Sequence, residues 1–227
     1  MRPLAEVDRR TLLIGGGIGV GLIVAVALWP EREPRARAGE AALGGWIRVG
    51  RDGRVTVAVP QVETGQGIWT ALPQIVADEL GAAWDSVAVE PAPIDAAARN
   101  PLAASEGWFA GLGPLRAFRI DHDARSAVTL GASSIRGFAA PMREAAAAAR
   151  AMLIGAAAGR WGIDPGQCRA ANGFVSGGGQ RLPFAALAED AARGRPPRSP
   201  ELRADHPLLG QSLPRLDGPA KASGKAR

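Results

Sequence analysis

A glycine-bearing heptapeptide, Gln61-Val62-Glu63-Thr64-Gly65-Gln66-Gly67, separates two kinds of hydrophobic periodicity and so sets the local order of elements. Upstream, Trp46-Ile47-Arg48-Val49 and Val55-Thr56-Val57-Ala58-Val59 alternate in polarity around Asp52-Gly53, the pattern of two strands joined by a tight turn. Downstream, Leu72, Ile75, Val76 and Leu80 recur at helical spacing, which assigns Asp78 and Glu79 to the opposite, polar face. Thr70 is the expected N-cap, Pro73 is tolerated in the first turn, and Gly81 supplies the stop. Ser86 to Glu90 reads as a third strand, closed by Pro91 and Pro93. Strand, strand, helix, strand predicts an α+β domain: a small mixed sheet from 46–59 and 86–90 with two helices packed on one face.

The junction has chemical potential of its own. Two glycines let a ligand approach the backbone closely, a helix N-terminus favours an anion, and the Gln66 amide can both donate and accept. A Gly-x-Gly before a helix is equally a plain strand-to-helix turn, and this one lacks the third glycine of a dinucleotide fingerprint.

A second small-residue stretch, Gly131-Ala132-Ser133-Ser134-Ile135-Arg136-Gly137, precedes an alanine-rich helix expected from about Ala140 to Trp161, with Pro141 near its first position. Its amides are accessible, its two hydroxyls can reach phosphate oxygens, and Arg136 is a candidate phosphate partner. Read by itself it is also an ordinary Ser-rich helix start. Beyond the helix, a strand begins near Cys168-Arg169-Ala170. Gly177-Gly178-Gly179 is a hairpin turn between Gly173-Phe174-Val175 and Arg181-Leu182, and a helix runs from Phe184 to Ala192. Gly107 to Asp121 reads as a packed loop with no chemical role.

Charge narrows the function. Of the net +5, residues 193–227 contribute eight basic and three acidic groups, whereas residues 39–192 carry thirteen and fifteen. The basic excess lies in a tail without aromatic interleaving, which argues against a nucleic-acid partner and for a solvated extension. A single cysteine, Cys168, read as a small buried residue, excludes an intrachain disulfide or iron–sulfur cluster, and His122 and His206 lack ligand spacing, so no metal is assigned to this chain's side chains.

At the N-terminus, Asp8-Arg9-Arg10-Thr11 opens an uncharged run to Trp29. Paired arginines before an apolar segment have the layout of a twin-arginine export signal, and the run is long enough to span a thin bilayer. Residues 1–29 are therefore expected to be either a signal cleaved near Ala36-Arg37-Ala38 or a retained anchor, with 11–29 forming one apolar helix. The expected location is the bacterial inner membrane or periplasm. Residues 30–45 read as a linker, 46–193 as the domain, and 194–227 as a basic connector.

The string Glu63-Thr64-Gly65-Gln66-Gly67, with Thr70, Gln74 and Ala77-Asp78-Glu79-Leu80-Gly81, resembles the molybdenum hydroxylases of the xanthine dehydrogenase and aldehyde oxidase family. The likeness is to their isoquinoline-oxidoreductase-like large subunits, whose Glu-Met-Gly-Gln-Gly segment cradles the molybdopterin cofactor. Thr64 replaces the usual Met. The 131–137 stretch resembles the family's Gly-Gly-Ser-Thr-Ser-Val-Arg-like segment, with Ala132 where Gly is usual, and Pro141, Arg143, Ala145 and Arg150 match the helix that follows it. Asn100-Pro101 and the tail motif Pro214-Arg215-Leu216-Asp217-Gly218-Pro219-Ala220-Lys221 match further segments.

The resemblance implies a molybdopterin-binding segment of an oxidoreductase that hydroxylates aldehydes or N-heteroarenes with water as oxygen source. Gly65, Gln66, Gly67, Gly131, Ser133, Ser134 and Arg136 are the implied cofactor contacts, and the cytosine dinucleotide is the implied cofactor form. Its implied partners are the remaining large-subunit domains, an iron–sulfur small subunit, a cytochrome electron acceptor and, through residues 11–29, the membrane. The family's catalytic glutamate lies near the large subunit's C-terminus and has no counterpart here, so no catalytic residue is assigned and Glu63 stays with the loop. The resemblance is expected to cover about the first third of such a large subunit. A membrane-anchored, non-catalytic scaffold that keeps the fold is the alternative.

Overall fold

The computed structural model describes residues 40–43, 46–93, 99–103 and 127–225. The expected N-terminal helix, its cleavage site and the 107–121 loop lie outside them. Among the described residues no helix is long and apolar enough to cross a membrane.

Four strands form the main sheet in the order β1 (Glu40–Ala42), β2 (Ile47–Gly50), β3 (Val55–Val59) and β4 (Val87–Pro91). The first three run antiparallel, and β4 pairs parallel with β3 after the crossover helix α1 (Ile68–Leu80), so the sheet is mixed as expected. β1 lies inside the expected linker, so the domain begins before Trp46. Three residues are too few to show alternation; what seats them is a side chain on β2. Arg48, 4% exposed, pairs with Glu40 of β1 at 2.8 Å and with Glu90 of β4. A buried guanidinium must be paired, so one residue ties both edges of the sheet to its interior.

The opposite face carries Ile47, Val49, Val55, Val57 and Val59, all at most 1% exposed. Three helices, not two, contribute to this core: α1 with Leu72, Val76 and Leu80, α2 (Ser133–Trp161) with Met142, Ala146, Ala149, Leu153 and Ala157, and α3 (Phe184–Arg193) with Phe184 and Leu187. Each fully buried Leu, Val or Phe contributes about 1.5–3 kcal/mol. The alanines of α2 leave room for α1 to lie close against it.

α2 begins seven residues before the expected Ala140, taking in Ser133, Ser134, Arg136 and Gly137, with Pro141 in its interior. Gly137, one turn before Pro141, makes room for another proline: a Cβ there would stand 3.1 Å from Pro101 Cγ. After α2, β5 (Arg169–Ala171), β6 (Phe174–Gly177) and β7 (Gln180–Pro183) form a separate antiparallel sheet with two-residue turns at Asn172-Gly173 and Gly178-Gly179. Cys168, before β5, is half-buried rather than buried.

Gly81 ends α1 at φ 81°, and a Cβ there would stand 2.7 Å from the Ala170 carbonyl oxygen. Only glycine satisfies both constraints. The tail beyond α3 is not a loose solvated extension. It returns along α1 to a short helix, α4 (Gly218–Ala222), and its anchors are the two acidic residues expected on α1's polar face. Asp78, 1% exposed, accepts from Leu208 N at 2.8 Å, Leu209 N at 3.2 Å and His206 Nδ1 at 2.7 Å. Glu79, fully buried, accepts from Arg143 Nε at 2.8 Å, Arg150 Nη1 at 2.5 Å and Arg203 N at 2.9 Å.

Candidate functional site

Glu63 organises the junction between β3 and α1. Its carboxylate accepts from the amides of Gly65 at 2.8 Å, Gly67 at 3.1 Å and Trp69 at 3.0 Å. The amides of Gly65, Gly67 and Trp69 at this junction are thus occupied by the chain's own carboxylate, while Gly67 is the N-cap residue of the helix. The helix starts at Ile68, and Thr70, the expected cap, instead accepts from Leu216 N at 3.2 Å. Burial alone would raise the Glu63 pKa, but the three amides and the nearby Lys221 ammonium outweigh it and hold the carboxyl at about 2.

The loop keeps one open side. Gly65 and Gly67 have φ 112° and 86°, and among the described residues no atom lies within 4 Å of where a Cβ would stand on either. Gln66 is exposed, and its amide braces the turn: Nε2 donates to Val62 O at 2.8 Å, and Oε1 accepts from Thr64 N at 2.6 Å and Thr64 Oγ1 at 2.9 Å.

The second stretch meets this loop at its base. Ser134 Oγ donates to Gln61 Oε1 at 2.9 Å, and Val62 N donates to Thr129 Oγ1 at 2.8 Å. Ser133 is fully buried; its hydroxyl donates to Leu130 O at 2.5 Å and accepts from Asn100 Nδ2 at 2.6 Å. Both serine hydroxyls are therefore engaged with the protein. Gly131 and Arg136 are exposed at the start of α2, and Ala132 precedes that helix in the left-handed conformation with no side-chain cap. The structure brings the bases of the two stretches together, and Gly65, Gln66, Gly131 and Arg136 are exposed, as are Val62, Thr64, Ala132 and Ile135 beside them.

In sequence, Asn100 is legible only as half of an Asn-Pro match. Its Nδ2 also donates to Val128 O at 2.9 Å, so this 1%-exposed amide fixes the approach to α2. Glu63, Arg215 and Lys221 have no site role in the sequence reading; the available signal is a carboxylate two residues before the first glycine. Among the described residues no cluster of His, Cys, Asp or Glu could hold a metal ion.

Residues 5–112 match a family described as a molybdopterin cofactor-binding domain, a stretch that includes the Gly65–Gly67 loop and stops before α2. Over 131 residues the chain is 37% identical to the beta chain of the isoquinoline 1-oxidoreductase of Brevundimonas diminuta, covering 57% of this chain and 14% of that one. The chain is thus similar to molybdopterin-binding proteins of the xanthine dehydrogenase family over a fragment of their length. Other relatives are similar over longer stretches of this chain. The B component of the nicotinate dehydrogenase of Pseudomonas putida is 31% identical over 85% of this chain and 14% of its own length. The membrane-bound aldehyde dehydrogenase [pyrroloquinoline-quinone] of Gluconacetobacter polyoxogenes is 31% identical over 80% of this chain and 21% of its own. The quinoline 2-oxidoreductase structure from Pseudomonas putida 86 aligns at TM-score 0.38 and 22% identity over 67% of this chain and 17% of that one. The chain thus spans 14 to 21% of the curated relatives' length, less than the expected third.

Proposed function

We propose that this chain supplies one wall of the molybdopterin site of a molybdenum hydroxylase-type oxidoreductase, acting on aldehydes or N-heteroarenes with water as oxygen source. One observation carries the reading. Within the matched segment, the Gly65–Gly67 backbone is open on one side among the described residues, so a flat or phosphorylated ligand can reach it without meeting one of their side chains. Gly65, Gln66 and Gly67 would hold the cofactor from one side, and Gly131 and Arg136 from the start of α2. Ser133 and Ser134 support that wall from within, since their hydroxyls are already bonded inside the protein.

The bound cofactor supplies the redox chemistry; this chain binds, orients and shields. The cytosine dinucleotide form, whose extra phosphate suits Arg136, is the form proposed. The remaining large-subunit domains complete the site, and an iron–sulfur small subunit and a cytochrome acceptor take the electrons. The names of the relatives support a ring-nitrogen heterocycle or an aldehyde as substrate. Residues 11–29 would place the assembly at the inner membrane or in the periplasm, which cell fractionation tests.

The deciding experiment expresses the chain alone and with the rest of a large subunit and its partners, then measures molybdenum by elemental analysis and turnover with an artificial acceptor. Metal and turnover in the assembly, both lost on Gly67→Val, support the reading. An assembly that forms without molybdenum refutes it and leaves the scaffold.

A further inference from the structure

Two motifs far apart in sequence meet at one carboxylate. Besides its three amides, Glu63 Oε1 accepts from Arg215 Nη2 at 3.1 Å and Lys221 Nζ at 3.4 Å. Arg215 Nη1 also donates to Gly65 O at 3.3 Å. Asp217, buried behind them, holds Arg215 at 3.0 Å and Lys221 at 2.6 Å. Two carboxylates face two cations, so no net charge remains for an external anion. The arrangement works inward, on the loop.

The loop has little else to define it. Gly65 and Gln66 are exposed, no atom of the described residues packs where side chains of the two glycines would be, and glycine segments carry the largest conformational entropy to lose. Its shape rests on polar ties: amides to Glu63, the Gly65 carbonyl to Arg215, and the Gln66 brace. We propose that the tail segment Arg215–Lys221 is a positioning element of the Gly65–Gly67 loop, with Glu63 as the relay. The loop holds its open conformation only while that segment is seated at the N-terminal end of α1. That the open conformation receives the cofactor rests on the function proposed above; the coupling does not. Further along, the tail is anchored independently by Asp78 and Glu79, so releasing its last turn is a local event.

Amide hydrogen exchange of the full-length chain tests the coupling without any cofactor. In an Arg215→Met/Lys221→Met variant, exchange at Gly65, Gly67 and Trp69 is expected to rise about tenfold or more, with the Leu72–Leu80 amides unchanged. Arg215→Lys restores most of the protection, because an ammonium can still reach Glu63. Glu63→Gln, which keeps shape and loses charge, reproduces the loosening if the double variant folds poorly. Arg169→Met, which breaks the Arg169–Asp205 pair elsewhere on the tail, leaves the loop amides unchanged. Unaltered loop exchange in the double variant and in Glu63→Gln overturns the proposal. So does an equal rise throughout α1, or an equal response to Arg169→Met. Molybdenum content of the assembled enzyme is a separate readout: a loosened loop with full molybdenum upholds the coupling and removes the loop from the cofactor site.

Discussion

Arg150 Nη1 lies 2.5 Å from Glu79 Oε1, a pair formed between α2 and a carboxylate with no exposure to solvent. Arg143 and the Arg203 amide complete the coordination, so Glu79 joins α1, α2 and the tail. Truncating one side of a buried ion pair leaves the other charge uncompensated, at a cost of about 3–5 kcal/mol. Glu79→Ala is therefore expected to destabilise by that amount in urea unfolding. Arg143→Ala is milder, because its side chain is 29% exposed and water replaces part of the interaction.

Stability should fall in acid through Glu63. Its carboxyl titrates at about 2 in the folded protein and near 4.5 otherwise, so the stabilisation is complete above pH 4.5 and lost as pH drops toward 2. Depressed pKa values stabilise above the unfolded value, and the full shift corresponds to up to about 3 kcal/mol. The stability difference between wild type and Glu63→Gln, measured by denaturant titration at several pH values, is expected to shrink across that window.

Glycines at the two ends of α1 should behave differently. Gly81→Ala meets both a positive φ and the Ala170 carbonyl 2.7 Å away, and is expected to cost more than about 2 kcal/mol. Gly65→Ala meets no atom of the described residues, so the strain of its positive φ, about 1–2 kcal/mol, is the cost expected. Thermal melts separate the two, and molybdenum retention should be hit harder by the second change than its stability cost implies.

Asn100→Ala removes the amide that holds Val128 O and Ser133 Oγ. A buried polar network with one member missing costs about 1–3 kcal/mol. The expected signature is faster exchange at the first turn of α2 with little change in α3.

Detaching the tail should expose it to protease. Asp78→Ala leaves the Leu208 and Leu209 amides and His206 without their acceptor. Limited proteolysis is then expected to cut faster within residues 198–214 than it does in wild type.

Most of the fold can be read from local pattern. The alternation at 47–50 and 55–59, the helix ending at Gly81, and the β6–β7 hairpin follow from periods and turn residues that act over a few positions. Asn172-Gly173, the turn between β5 and β6, is an equally strong local signal. Motif strings likewise locate both small-residue stretches. What local sequence does not state is where charge goes. Asp78, Glu79 and Arg48 look like surface residues by helical or strand period, yet each is buried because a partner 8 to 130 positions away neutralises it or donates to it. The loop divides in the same way: Glu63 takes amides two to six positions along the chain, a local contact, whereas only the tertiary structure brings Arg215 and Lys221 onto that carboxylate. Hydrophobic periodicity is a property of neighbours along the chain. Pairing of buried charge is a property of neighbours in space, and folding alone decides it.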